Sequence, residues 1–220
     1  MDNYPKIYNR HSDLYEIFSS AEDAPGKIAR FLIGKFDFSG TVLDMGCGSG
    51  KFIPVLSARA KRYYALDASK KLLKIAEQKG DVQTINALAQ KILLPDSSVD
   101  IVFSSWAISA MNFVDHRDAA VNEGLRVLKK KGVFIVVENS FKGEIQRLFG
   151  YDSNPVEYNY QYWLKEKGFS VVKKIKTYFE FDSLKQAKDC MNRIFRKDVG
   201  DRVRGRKIEH DVVVFCRARG

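Results

Sequence analysis

The residues best suited to chemistry lie in the stretch 41–50, TVLDMGCGSG. Val42 and Leu43 run into an acid, Asp44, and Gly46, Gly48 and Gly50 follow at alternate positions. Such an apolar run has the length and bounds of a buried parallel strand, and the glycines mark a turn where the backbone must pass close to something. Phe52, Val55 and Leu56 then recur at helical spacing. Strand, glycine turn and helix N-terminus in that order make a nucleotide-type site, because glycine lacks a Cβ and the helix end offers free N–H groups. The dinucleotide fingerprint G-x-G-x-x-G needs glycine where Lys51 stands, and no Gly-Lys-Ser/Thr triplet closes the turn, which argues against nicotinamide, flavin and phosphate-loop chemistry. A second acid, Asp67, ends the next apolar run roughly 20 residues on, where a carboxylate can accept hydrogen bonds from ribose hydroxyls.

The motif D-x-G-x-G-x-G resembles the first motif of the class I S-adenosylmethionine-dependent methyltransferases, and in particular the small-molecule "type 11" methyltransferase domain family. By that resemblance Asp44, Gly46, Cys47, Gly48 and Gly50 wrap the methionine part of S-adenosylmethionine, with S-adenosylhomocysteine as the product. LDASKKLL resembles the second motif, which places Asp67 and Ala68 at the ribose. Asn86, Ala87 and Leu88 stand where the family cradles adenine; an aspartate is common at the first of these positions, and the amide of Asn86 still offers a donor and an acceptor. EGLRVLKKKGVFIVVEN resembles the fifth motif. An N-terminal segment of similar texture forms a lid in such enzymes, which makes Tyr15 a candidate cofactor contact and His11 a candidate substrate contact. Ser104, at the end of a strand, lies beside the crevice where doubly wound sheets bind ligands. Trp106 either walls the transfer site or packs beside it, and Phe141 belongs to a loop of the kind that shapes substrate pockets.

The elements that must position these residues follow from periodicity. A helix near 13–18 and a second carrying Ile28, Phe31, Leu32 and Phe36 precede the first strand. Strands are expected at 62–66, 82–85, 101–104, 133–137, 169–180 and 211–217, with a turn and short helix at 86–90. Helices are expected at 114–132, ending on Lys129, Lys130, Lys131 and a C′ Gly132, and at 156–167 and 184–196. The architecture is α/β: a doubly wound, mostly parallel seven-stranded sheet with helices on both faces, a last strand that runs antiparallel, and an N-terminal helical lid. Residues 1–36 form the lid segment and 37–220 the methyltransferase domain, its cofactor-binding core at about 38–137 and its substrate-side strands at 138–220.

Composition bounds the remaining possibilities. With 220 residues, 45% of them hydrophobic, the chain can bury the core of one domain. No apolar run reaches the roughly 18 residues of a membrane span and the start lacks a signal-peptide centre, so a cytoplasmic protein without membrane contact is expected. Cys47, Cys190 and Cys216 are too scattered for a disulfide framework or a metal site. The net charge of +10 is concentrated at 185–220, where eleven Lys and Arg face five Asp and Glu. Basic residues alternate with acids there, as on a solvated face, although the patch could also steer RNA or an acidic metabolite. The sequence thus points to methyl transfer to a small-molecule acceptor. An RNA or protein methyltransferase and a non-catalytic cofactor-binding protein stay open, as does the oligomeric state. In-line transfer from a sulfonium needs alignment first and a base only if the acceptor must lose a proton; His11 is the first candidate, and Cys47 is read as a packing residue.

Overall fold

In the computed structural model, residues 12–111, 113–140, 143–150, 155–195 and 197–220 are described. The elements are α1 (Ser12–Ala21), α2 (Lys27–Lys35), β1 (Thr41–Met45), α3 (Ile53–Leu56), β2 (Arg62–Asp67), α4 (Lys70–Ala76), β3 (Gln83–Asn86), β4 (Val99–Ser105), α5 (Val114–Val127), β5 (Leu128–Asn139), α6 (Glu144–Phe149), α7 (Pro155–Glu166), β6 (Ser170–Glu180), α8 (Leu184–Ile194), α9 (Lys197–Arg202) and β7 (Lys207–Ala218). The strands form one seven-stranded sheet in the order β3-β2-β1-β4-β5-β7-β6. Its first five strands pair in parallel, and β7 inserts antiparallel between β5 and β6. This is the expected topology.

Alternation along each strand divides the core into two layers. Val42, Phe103, Ile135 and Val137 face one way, against Ile28 and Leu32 of α2 and Leu73 of α4. Leu43, Val102, Phe134 and Val136 face the other way, against Val121 of α5 and Leu164 of α7. Because both faces are covered, the central strands carry unbroken apolar runs. A third, smaller cluster beyond the ends of β6 and β7 joins Ile145, Phe179, Met191, Val199 and Ile208 to Leu14 and Phe18 of α1.

Several expected boundaries move. The helix after the glycine turn is a single turn, Ile53–Leu56, with Pro54 at its start, so a long helix dipole does not reach the turn. The segment 86–90 turns without forming a helix, closed by Lys91 N donating to Leu88 O at 2.9 Å. The helix expected to run to Gly132 ends at Val127, and its lysines belong to β5. Lys129 pairs with Asp100 at 2.9 Å. Lys131 takes a φ of 65° and donates its N–H to Arg219 O at 2.8 Å. Basic residues followed by glycine resemble a helix end, but pairing with β4 and with the chain's end outweighs that local preference. Helices α6 and α9 add to the elements expected from periodicity.

Candidate functional site

Strand β1 brings the glycine turn to the carboxyl edge of the sheet, where β2 and β4 diverge on either side of it. Gly46 N and Cys47 N both donate to Leu66 O, at 2.8 and 2.9 Å. Gly46 and Gly48 have φ of 77° and 55°, values that suit glycine. Neither leaves space for a side chain. A Cβ on Gly46 would stand 2.3 Å from the Ala107 Cβ, and one on Gly48 would stand 2.9 Å from the Tyr15 hydroxyl.

Asp67 holds the turn in shape. One carboxyl oxygen accepts from Gly48 N at 2.9 Å and the other from Ser69 N at 2.8 Å. Burial raises its pKa while these N–H groups lower it. Asn86 supports Asp67 from behind, its amide donating to Asp67 O at 3.1 Å and Ala68 O at 3.0 Å. Asp44 is buried and accepts from the Tyr63 hydroxyl at 2.8 Å. Burial pushes its carboxyl up to about 7 against the pull of Tyr63.

A cavity of about 950 Å³ opens beside the turn. Of the candidate residues, Tyr15, Gly46, Cys47, Gly48, Asp67, Ala68, Ala87, Leu88 and Trp106 line it. Asp44, Gly50, Asn86 and Ser104 do not stand in that wall; Ser104 is fully buried. His11 and Phe141 lie outside the described residues. The Cys47 thiol is buried, and desolvation followed by the nearby Asp44 and Asp67 drives its pKa well up, which leaves no thiolate for nucleophilic work.

The cavity is also lined by polar groups absent from the sequence-based candidates: Glu22, Lys51, Glu138, Asn139, Tyr160 and His210. Lys51 ties α1 and the turn after it to the glycine loop, donating to Ser19 O at 2.7 Å and also to Glu22 O. Trp106 Nε1 donates to Asn139 Oδ1 at 2.9 Å, and His210 Nε2 meets the same oxygen at 2.7 Å. An indole N–H only donates, so the oxygen of the Asn139 amide faces both rings, and His210 carries its proton on Nε2. The bare Nδ1 then lies 3.2 Å from Glu22 Oε1. Burial, with Lys51 nearby, lowers the His210 pKa to about 3, and burial raises that of Glu22 to about 8 despite Lys51. Glu22, Asn139 and His210 come from distant parts of the chain, which is why spacing alone could not associate them.

Residues 43–136 match the model of a family described as a methyltransferase domain. The malonyl-[acyl-carrier protein] O-methyltransferase of Serratia marcescens is 32% identical over 115 residues, 49% of this chain and 41% of that protein. The ubiquinone/menaquinone biosynthesis C-methyltransferase of Campylobacter jejuni is 32% identical over 105 residues, 44% of this chain and 43% of its own length. The matches thus span half or less of these curated relatives. Among solved structures, one described as an S-adenosylmethionine-dependent methyltransferase and possible histamine N-methyltransferase from Thermotoga maritima superposes with a TM-score of 0.63 at 17% identity, covering 98% of this chain and 99% of that one. Over residues 43–136 the chain thus resembles methyltransferases, and as a whole it has the fold seen in S-adenosylmethionine-dependent methyltransferases.

Proposed function

We propose that the protein binds S-adenosylmethionine at the glycine turn and transfers its methyl group to a small-molecule acceptor. The observation that carries this reading is a single cavity, about 950 Å³, that runs from the Gly46–Gly48 cradle to the buried polar groups on β5 and β7. Ligand pockets typically measure about 300–1,000 Å³, so this cavity suits a nucleoside cofactor together with a small partner. The residues present fit that cofactor. Main chain at Gly46, Cys47 and Gly48 offers close approach without Cβ atoms, and Asp67 keeps unused lone pairs for ribose hydroxyls beyond the two N–H groups it already accepts. Ala68, Ala87 and Leu88, with Leu72, provide an apolar adenine slot. Asp44, Gly50 and Asn86 act one layer back by shaping the turn, and Ser104 closes the strand end beneath it.

When bound, S-adenosylmethionine supplies an electrophilic methyl group on a sulfonium. The chain's part is alignment and exclusion of water. Within the segment 1–36, of which 1–11 lie outside the described residues, α1 serves as a lid that sets Tyr15 over Gly48 while Lys51 fastens the turn after it, and α2 packs on the sheet. Trp106 is held in one orientation by Asn139 and walls the transfer site. A cavity walled in part by α1 favours a small acceptor over RNA or a protein, and the basic residues of 185–220 are then a solvated surface. The relative named for ubiquinone and menaquinone biosynthesis supports a small-molecule acceptor. Calorimetry with S-adenosylhomocysteine tests the reading. Binding by the wild type and its loss in Gly48→Val, with the fold retained, is the expected result; no heat and no thermal shift with the wild type would overturn it.

A further inference from the structure

Glu138 is the penultimate residue of β5, and its side chain leaves the sheet opposite the neighbouring Asn139. It is 1% exposed yet lines the cavity. Its two oxygens differ. Oε1 accepts from the Ser109 N–H at 3.3 Å and from the Tyr160 hydroxyl at 3.1 Å, which ties the loop after β4 to α7. Oε2 is buried and has no hydrogen-bond partner among the described residues, as is also true of Asp44 Oδ1, but Asp44 does not line the cavity and Glu138 does.

A purely structural brace does not need this second oxygen. Glutamine would present the same Oε1 to Ser109 and Tyr160 without the cost of burying an ionisable group. The one cation close by is already committed among the described residues: Arg117 donates to Met111 O at 2.8 Å and Ser109 O at 3.3 Å, and its guanidinium lies 5.0 Å over the Tyr160 ring. It acts on Glu138 through its field and not as a partner. The groups facing the carboxyl are thus Ser109 from the β4 side, Arg117 from α5 and Tyr160 from α7, while Glu22 stands across the cavity. Burial raises the Glu138 carboxyl to about 7, with Ser109, Tyr160 and Arg117 pulling it down. A carboxyl that exchanges its proton near working pH is suited to general-base catalysis.

Resting on the methyl-transfer reading, we propose that Glu138 Oε2 takes the proton released by the methyl acceptor, and that this acceptor presents an O–H or N–H to it and not a carboxylate. As the acceptor atom forms its bond to the methyl carbon, the carbon–sulfur bond breaks and its electron pair stays on sulfur. The electron pair of the acceptor's X–H bond remains on X, and the proton passes to Oε2. Products are the X-methyl compound, the neutral thioether and a protonated Glu138, which returns the proton to solvent when the site opens. An anionic carboxylate would be repelled by the ionised Glu138 and has no proton to give.

Three probes on one aromatic frame test this: phenol, benzylamine and benzoate, titrated into wild type and Glu138→Gln saturated with S-adenosylhomocysteine. Wild type is expected to bind phenol or benzylamine at least tenfold more tightly than benzoate above pH 7. Glu138→Gln should reduce that preference to threefold or less while its affinity for S-adenosylhomocysteine stays within twofold of wild type. A merely bracing Glu138 would leave the preference unmoved in the variant, and that result overturns the proposal, as does a wild type that favours benzoate or binds neither X–H probe. Should the variant not fold, the wild type alone decides: the discrimination against benzoate must fade as the pH falls to 5.5, and a pH-independent preference refutes the assignment. If S-adenosylhomocysteine itself does not bind, the methyl-transfer reading fails first, and probe titrations without it still report on Glu138.

Discussion

A methyl group placed on Gly48 should expose how α1 seals the cofactor turn. Two costs can be separated in Gly48→Ala. Holding alanine at φ 55° costs about 1–2 kcal/mol because its Cβ crowds the following carbonyl. The same Cβ would lie 2.9 Å from the Tyr15 hydroxyl and 3.1 Å from its Cε1, and because the end of this half-buried side chain can shift, the cost is about 1 kcal/mol, the low end for overpacking. Only the second cost depends on Tyr15. In a double-mutant cycle with Tyr15→Ala, the backbone cost persists and the clash disappears, so the double variant should be about 1 kcal/mol more stable than the two single losses added together. Urea unfolding of the four proteins measures this. Binding of S-adenosylhomocysteine should behave differently: the added Cβ still fills the cradle, so affinity should stay down at least about tenfold, or 1.4 kcal/mol, in both backgrounds. Additivity within about 0.5 kcal/mol would refute the claim that Tyr15 closes on Gly48, and full affinity in the double variant would place the cofactor elsewhere.

Gly46→Ala has no comparable relief, because its neighbour at 2.3 Å is the Ala107 Cβ; a loss of about 3 kcal/mol is expected from strain and overpacking together, read from thermal unfolding. Lys51→Met removes the ammonium that bridges Ser19 O and Glu22 O, and should cost about 3 kcal/mol and speed proteolysis between α1 and α2 while β1 to β5 stay protected. Stability should fall as pH rises from 6.5 to 8. Folded Glu22, Asp44 and Glu138 keep protons up to about 8, 7 and 7, whereas the unfolded chain has lost them by then, so each contributes stability at low pH that is lost as pH rises through its folded pKa. The slope reaches at most about 1.4 kcal/mol per pH unit for each proton. His210, depressed to about 3, has the opposite sign, because below its unfolded pKa the unfolded chain gains a proton that the folded one refuses; above 6.5 it drops out. Urea midpoints that stay flat from 6.5 to 8 would contradict the assignment, as would a Glu22→Gln, Asp44→Asn, Glu138→Gln triple variant with the wild-type slope.

Much of the fold is legible in residue order because local pattern and sheet pairing agree there. TVLDMGCGSG states strand and turn together, and Asp67 follows at the distance one crossover requires. Where the two conflicted, pairing prevailed: Lys129, Lys130 and Lys131 look like a helix end, yet the chain pairs there with Val99 and Arg219. The substrate side was harder to see, since Glu22, Asn139 and His210 meet only after the sheet has formed. Glu138 did leave a signal. TVLD, YALD and IVVE each end an apolar strand run in an acid, and the three strands deliver those acids to the same edge of the sheet. What differs is the neighbour each finds. Asp67 is engaged on both oxygens by turn N–H groups, whereas Asp44 and Glu138 are each engaged on one oxygen only among the described residues. Burial costs all three, but Asp44 lies outside the cavity wall while Glu138 lines the cavity. For Glu138 the compensation is incomplete, and a partner with a proton to share is the chemistry that would complete it.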